Sequence, residues 1–305
     1  MHYKIITQYA KPPIHNLFVK IADFTIALFS PDPEMKIGLL GATREFLIDE
    51  GDPDLKVQAK WGDLSKKNGG KMIFDSGFLW KLYLENDSYE FRFTSPPWGV
   101  HPYKIAIFDQ EFTTGEVTFQ HTYSNRDQSV YPLEYPLDEL MINSLLAKGK
   151  GVEVHACGVV DFCGNGHLFV GQSEAGKTTI ARLWEKEPGT TVLSDDRIIL
   201  RKRENTIWMY GTPWHGEAGL ASPAGAPLTK VYFLNKGHNN ELVSQKPANS
   251  VSRLFACCFP QFYNHEALDF TLSFLEGVVK NVPCYELTFK PDKSVIELIQ
   301  EGHFN

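Results

Sequence analysis

The chain has 305 residues, of which 43% are apolar and 22% charged, and a formal charge of -7. That length allows two domains with cores of their own, and the negative balance argues against a nucleic-acid binder, whose affinity rests on a basic face. No apolar run reaches the roughly 18 residues of a membrane span, and "MHYKIITQYAKPP" lacks the basic start and apolar core of a signal peptide. A cytoplasmic protein with neither membrane nor nucleic-acid partners is expected. The cysteines are Cys157, Cys163, Cys257, Cys258 and Cys284. Their odd number and the lack of a Cys-x-x-Cys pair point to buried thiols in a reducing compartment.

Residues 1–130 read as a β-rich N-terminal domain. "LFVKIADFTIALF", "LKVQAKW", "KMIFDSG", "LWKLYLEN", "YEFRFTS" and "YKIAIFD" are rich in β-branched and aromatic residues, and several alternate. Turn material such as "SPDPE", "DEGDPD", "KKNGG" and "TSPPWG" separates them. An antiparallel sheet or sandwich is expected, with one short helix at "GATREFLIDE".

The pattern changes near Tyr131, and 131–305 reads as a second domain. Pro136 suits a first helical turn, and Leu137, Leu140, Met141 and Leu145 fall on one helical face. From Gly151 onward strands and helices mix. Strands fit "GVEVHACGVVDF", "GHLFVG", "TTVLSD", "RIILRK", "TIWMYG" and "KVYFLN", with "CGNG" as a hairpin turn between the first two. Helices fit Lys177 to Glu185, "ANSVSRLFACC", "HEALDFTLSFLEGVVK" and "PDKSVIELIQEG". The fold class is therefore α/β, in its α+β form.

"GQSEAGKT" satisfies G-x-x-x-x-G-K-[ST]. Gly171 and Gly176 let the backbone bend so that the N–H groups of Gln172, Ser173, Glu174 and Ala175 converge on phosphate oxygens. The following helix adds the partial positive charge of its N-terminus at Lys177, Thr178 and Thr179. Lys177 suits the β- and γ-phosphates of ATP, and the Thr178 hydroxyl suits Mg²⁺. An apolar strand leads in, and Ile180, Leu183 and Trp184 make a face behind the loop.

A nucleotide site also needs acid. In "VLSDDRIIL", Asp195 lies eighteen positions beyond Lys177, with Asp196 beside it. Adjacent carboxylates repel unless a cation lies near. Neighbouring strand residues point to opposite faces, so one carboxylate suits the metal and the other the acceptor. The short gap predicts strand, turn and strand in a mixed sheet built from hairpins. In "GTPWHGE", Gly211, Pro213 and Gly216 mark a loop that offers His215 and Glu217, the latter a third acidic candidate for the metal. Arg197, Arg201, Lys202 and Arg203 suit a phosphate or a solvated strand end, and Arg253 interrupts an apolar helix.

"VEVHACGVVDFCGNGHLFVGQSEAGKTT" followed by "TTVLSDDRIIL" resembles the catalytic domain of HPr kinase/phosphorylase, within the phosphoenolpyruvate-carboxykinase-like kinases. "PLEYPLDELM", "GTPWHGE", "APLTKVYFLNKG" and "VPCYELTFKPD" look closer still to the related group that includes the SynChlorMet cassette protein ScmC. The resemblance implies a P-loop kinase domain over 131–305. In it Lys177 and His155 lie at the phosphates, Asp195 is the proton acceptor, and Thr178 and Asp196 are at the metal. It implies a Mg-ATP-dependent transfer to a serine or threonine of a peptide or protein, with a homo-oligomer left open. The loop ends in Thr178 where the family has serine, and "GTPWHGEAGL" replaces a Glu-Ile-Arg-Gly-containing signature, which sets HPr itself and phosphorolysis apart. A small-metabolite kinase and a nucleotide-binding regulator without transfer are the alternatives.

Overall fold

The computed structural model describes residues 15–64, 70–77, 79–96, 99, 101–121 and 129–301. The first 14 residues, which include "MHYKIITQYAKPP", most of "KKNGG", Pro97 and Trp98 of "TSPPWG", and the expected helix stop at Gly302 lie outside them. The chain divides into two compact units, Met1–Met141 and Ile142–Asn305.

The first unit holds β1 (His15–Ile21), β2 (Phe24–Ser30), β3 (Leu47–Ile48), β4 (Leu55–Gly62), β5 (Lys71–Asp75), β6 (Trp80–Glu85), β7 (Ser88–Phe93), β8 (Lys104–Asp109) and β9 (Thr114–Gln120). A 3₁₀ turn at Gly41–Phe46 occupies the one expected helix. In β4, Leu55, Val57, Ala59 and Trp61 are buried while the residues between them are less so, the period-two pattern of a half-buried strand. Ala22 and Asp23 both have positive φ, as a two-residue hairpin turn between β1 and β2 requires. The nine strands form one sheet in the order β3-β1-β2-β4-β9-β8-β7-β6-β5. β4 pairs parallel with both β2 and β9, so the expected antiparallel sheet is in fact mixed. The sequence reading missed β9, whose "TGEVTFQ" opens on turn-forming residues.

Helix α1 (Leu137–Leu146) crosses the division between the units. The second unit continues with β10 (Val152–Val160), β11 (Gly166–Val170), α2 (Lys177–Trp184), β12 (Thr191–Ser194), β13 (Arg197–Arg203), β14 (Thr206–Tyr210), β15 (Gly225–Lys236), β16 (Glu241–Ser244), α3 (Pro247–Phe255), α4 (His265–Asn281), β17 (Cys284–Phe289) and α5 (Ser294–Glu301). The sheet runs β11-β10-β13-β14-β15-β17-β16, and β11 also pairs with β15. Four successive antiparallel pairs from β11 to β15 are joined by two parallel ones (β11 with β15, β15 with β17), giving a mixed α/β sheet.

Its central strands are buried on both faces, and parity sorts their residues between two cores. Val154, Ala156, Leu168, Val170, Val231 and Phe233 pack with Leu254 of α3 and Leu275 and Val278 of α4. Cys157, Val159, Phe169, Tyr232 and Leu234 pack with Ile180 and Trp184 of α2 and Ile296 and Ile299 of α5. This second core seats α2 against the strand that precedes it, and so fixes the chain between them. No helix among the described residues is long and apolar enough to cross a membrane.

Candidate active site

The stretch between β11 and α2 is the phosphate-loop sequence. Gly176 has φ +111°, and a Cβ there would lie 2.7 Å from the Phe289 ring. A Cβ on Gly171 would lie 2.5 Å from that of Ala175, so both glycines are sterically required. Glu174 is also left-handed at φ +67°. Gln172, Ser173 and Glu174 are exposed, whereas Gly171, Ala175, Gly176, Thr178 and Thr179 are half-buried. No side chain caps α2, and its first turn carries no acid. Lys177 is buried, and its Nζ donates to the carbonyls of Gly171 (2.8 Å) and Gln172 (3.1 Å). Burial lowers the lysine pKa, and the charge of Asp196 pulls the other way.

Asp195 and Asp196 are not in a chain-reversing turn. His155 pairs with Arg197 and Gly158 with Ser194, both antiparallel along β10. The intervening Ala156 donates to the Asp196 carbonyl at 3.1 Å. β12 and β13 therefore follow β10 as one interrupted strand, with the aspartates at the interruption, and the expected tight turn is corrected on this point. Ser194 Oγ accepts from the amides of Asp196 (3.2 Å) and Arg197 (3.3 Å). These bonds satisfy the backbone where the ladder is broken.

The two carboxylates have different partners. Asp195 is 1% exposed, and its oxygens accept from the amides of Gly216 (2.9 Å) and Ala218 (2.9 Å). A Cβ on Gly216 would lie 2.7 Å from Asp195 Oδ2, so glycine permits this approach. Asp195 thus pins the loop that carries His215 and Glu217. Asp196 Oδ1 lies 2.8 Å from His155 Nε2, and Oδ2 accepts from Arg197. Burial pushes the Asp196 carboxyl up, but the His155 hydrogen bond and the attraction of Arg197, His155 and Lys177 outweigh it. The net result is a carboxyl held below its ordinary range.

Lys177, His155, Asp196 and Arg197 are thereby brought into one electrostatic neighbourhood. Glu217 is exposed, and among the described residues no group of three or more His, Cys, Asp or Glu side chains is suited to a metal. His215 is exposed, its Nδ1 3.0 Å from the Gly216 carbonyl. Arg253 pairs with Glu286 at 2.7 Å, and Arg203 lies over Trp208. Cys157, Cys257 and Cys284 are buried as expected, whereas Cys163 is exposed on the β10–β11 hairpin. Sequence reasoning missed Glu153 and Phe259, both in contact with Arg197. A carboxylate two positions before His155 in an otherwise apolar strand was the available signal.

No family model and no curated protein matches the chain. Among solved structures, the HPr(Ser) kinase/phosphatase from Coxiella burnetii is similar at 15% identity, over 50% of this chain and 95% of that one. The TM-score is 0.30, too low to identify a common fold.

Proposed function

We propose that the second unit is a Mg-ATP-dependent phosphotransferase of the HPr-kinase-like, phosphoenolpyruvate-carboxykinase-like type. The observation that carries the reading is the buried Lys177 at the uncapped start of α2, within electrostatic reach of the His155-bound carboxylate of Asp196. The donor set fits a nucleotide phosphate chain: loop amides, a helix N-terminus and a lysine that now donates only to its own loop carbonyls. A phosphate oxygen would replace those carbonyls as the partner of Lys177. Thr178 and Asp196 are the groups that would hold Mg²⁺, with phosphate and water oxygens completing the shell, as this ion prefers. Bound there, the ion would neutralise charge on the phosphates.

The division of labour between the aspartates differs from the one the resemblance implies. Asp195 is buried, and each of its oxygens already accepts a loop amide, so an acceptor hydroxyl would have to reach a remaining lone pair on a carboxylate closed off from solvent. We assign it to loop anchoring. His155, the partner of Asp196, takes the proton of the acceptor hydroxyl as its oxygen attacks the γ-phosphorus and the bond to the bridging oxygen breaks. The acceptor is a serine or threonine of a peptide or protein. A screen for labelled phosphate passing from ATP to peptides tests this, beside calorimetry of Mg-ATP binding. Wild type should bind and Lys177→Ala should lose about a hundredfold in affinity, as a charged hydrogen bond of roughly 1.5–3 kcal/mol implies. Equal affinities in the two proteins would remove the nucleotide site, and transfer to small hydroxylated metabolites alone would replace the acceptor class.

A further inference from the structure

Arg197 is tied in three directions. Its NH1 donates to Asp196 Oδ2. Its Nε lies 3.5 Å from Glu153 Oε1. Its guanidinium carbon is 4.2 Å from the centre of the Phe259 ring. The Glu153 side chain is fully buried in β10, and Asn143 of α1 donates to its other oxygen. Phe259 is itself fixed, because its amide donates to the Glu153 carbonyl at 3.2 Å. The ring also lies 6.2 Å from that of His155.

A buried carboxylate is expensive, and a buried ion pair rarely stabilises a fold more than apolar packing would. Stability alone therefore does not account for Glu153. Its position does: the Glu153 charge lies in ion-pair contact with one edge of the guanidinium, at a distance longer than a hydrogen bond, and a planar guanidinium drawn to that edge and stacked on a ring has a preferred plane that directs its remaining donors. One of them meets Asp196. The charged and titratable groups around Arg197 include Glu153 and His155 from β10, Asp196 from the interrupted strand, and Lys177 from α2, which feels the Arg197 charge; Cys258 feels that of Glu153.

We propose that Glu153 is a positioning residue that holds the Arg197 guanidinium and, through it, fixes where the Asp196 carboxylate points. The role rests on the phosphotransferase reading, in which Asp196 faces the metal-phosphate group. Outer partners that orient a ligand carboxylate typically govern affinity or activity by roughly ten- to a hundredfold.

The test is a double-mutant cycle with Glu153→Gln and Arg197→Gln, read as KM for Mg-ATP and kcat for hydrolysis. Glu153 borders a cavity of about 20 Å³ with Asn143 and Phe259, which gives the amide room to settle. Each single variant should raise KM about tenfold, and the double no more than Arg197→Gln alone, because one residue acts through the other. Multiplying effects, or a silent Glu153→Gln, would overturn the proposal. A second measurement needs no nucleotide. The Arg197 Nε–H resonance should be resolved and slow to exchange in the NMR spectrum of folded wild type because its guanidinium is held in place, and Glu153→Gln should abolish that signal while Phe259→Leu retains it. A folded wild type without that signal, or a Glu153→Gln protein that keeps it, overturns the proposal as well. If wild type neither binds nor hydrolyses Mg-ATP, the phosphotransferase reading falls, while the NMR comparison still decides whether Glu153 holds Arg197.

Discussion

The phosphate loop closes on itself, whereas the interruption at Asp195 and Asp196 is held from a distance. Lys177 satisfies its charge on carbonyls five and six positions away. Asp195 takes its partners from 21 and 23 positions away, and Asp196 takes His155 from 41 positions away beside its neighbour Arg197. Both regions flank β10 or its neighbour β11, and both break regular structure. The difference lies in who supplies the missing partners. A locally closed segment carries its geometry in its own glycines. A remotely held one takes its geometry from the assembled sheet, and small changes elsewhere can undo it.

The largest expected effect divides the remote region from within. His155→Asn should leave Mg-ATP binding near wild type and lower phosphoryl transfer by roughly 10²–10⁴-fold, the usual worth of a positioned general base. Asp196→Asn should weaken both binding and turnover. Asp195→Asn keeps one acceptor oxygen but places an amide donor against a backbone N–H. It should cost about 1–3 kcal/mol of stability, the penalty of a buried polar mismatch, with a smaller loss of turnover. Calorimetry, steady-state rates and denaturant melts on the three variants separate these outcomes. If Asp195→Asn keeps full stability and loses transfer while His155→Asn keeps it, the base is Asp195 and the anchoring role is wrong.

A pair of glycines sharpens the same contrast at lower amplitude. Gly176→Ala meets two obstacles, a left-handed backbone at φ +111° and the Phe289 ring. Strain of this kind costs about 1–3 kcal/mol. Gly216→Ala has no left-handed backbone to strain and meets the Asp195 carboxylate, with Oδ2 at 2.7 Å and Cγ at 3.3 Å, and Asp196 Cβ at 3.3 Å; the carboxylate can be displaced. Thermal melts should rank Gly176→Ala as the more damaging. Only Gly216→Ala should reproduce the Asp195→Asn phenotype. The reverse ranking would mean that the phosphate loop is the more adaptable region.

Legibility follows the same line. "GQSEAGKT" is readable because each of its requirements sits within the motif: two glycines, a lysine and a helix start. β10, β11 and α2 were legible for the same reason, since period and turn chemistry are local signals, whereas "LFVKIADFTIALF" reads as one strand and is in fact two, turned at Ala22 and Asp23. The sheet order was not. Nothing in "LKVQAKW" says that β4 pairs parallel with β2 and β9, and "TGEVTFQ" looks like a turn until β8 and β4 flank it. The aspartate pair was visible as acid near a phosphate loop. The work of each carboxylate was not, because it depends on Gly216, Ala218, His155 and Arg197, which only tertiary structure assembles. Glu153 was overlooked because an isolated charge in an apolar strand has no meaning until its arginine is found.

The smallest expected effect asks whether local closure holds for the hairpin that delivers the loop. Asp161 accepts from the amides of Cys163 (2.9 Å) and Asn165 (2.9 Å), from Asn165 Nδ2 (3.1 Å), and contacts His167 Nε2 at 3.1 Å. These four hydrogen-bond contacts all lie within six positions, as those of Lys177 do. Burial raises the carboxyl, but the hydrogen bonds from His167 and Asn165 outweigh it and hold the group far below the ordinary value of 3.8. A carboxyl depressed in the folded state favours folding at pH values above its unfolded pKa. That contribution is lost as the pH falls from about 5 through the depressed value. Asp161→Asn should therefore be less stable than wild type at pH 7, and the gap between them should shrink at pH 3. Denaturant midpoints at the two pH values measure this. A constant gap would show that the Asp161 charge does no work in closing the hairpin, and that its hydrogen bonds serve equally well from a neutral side chain.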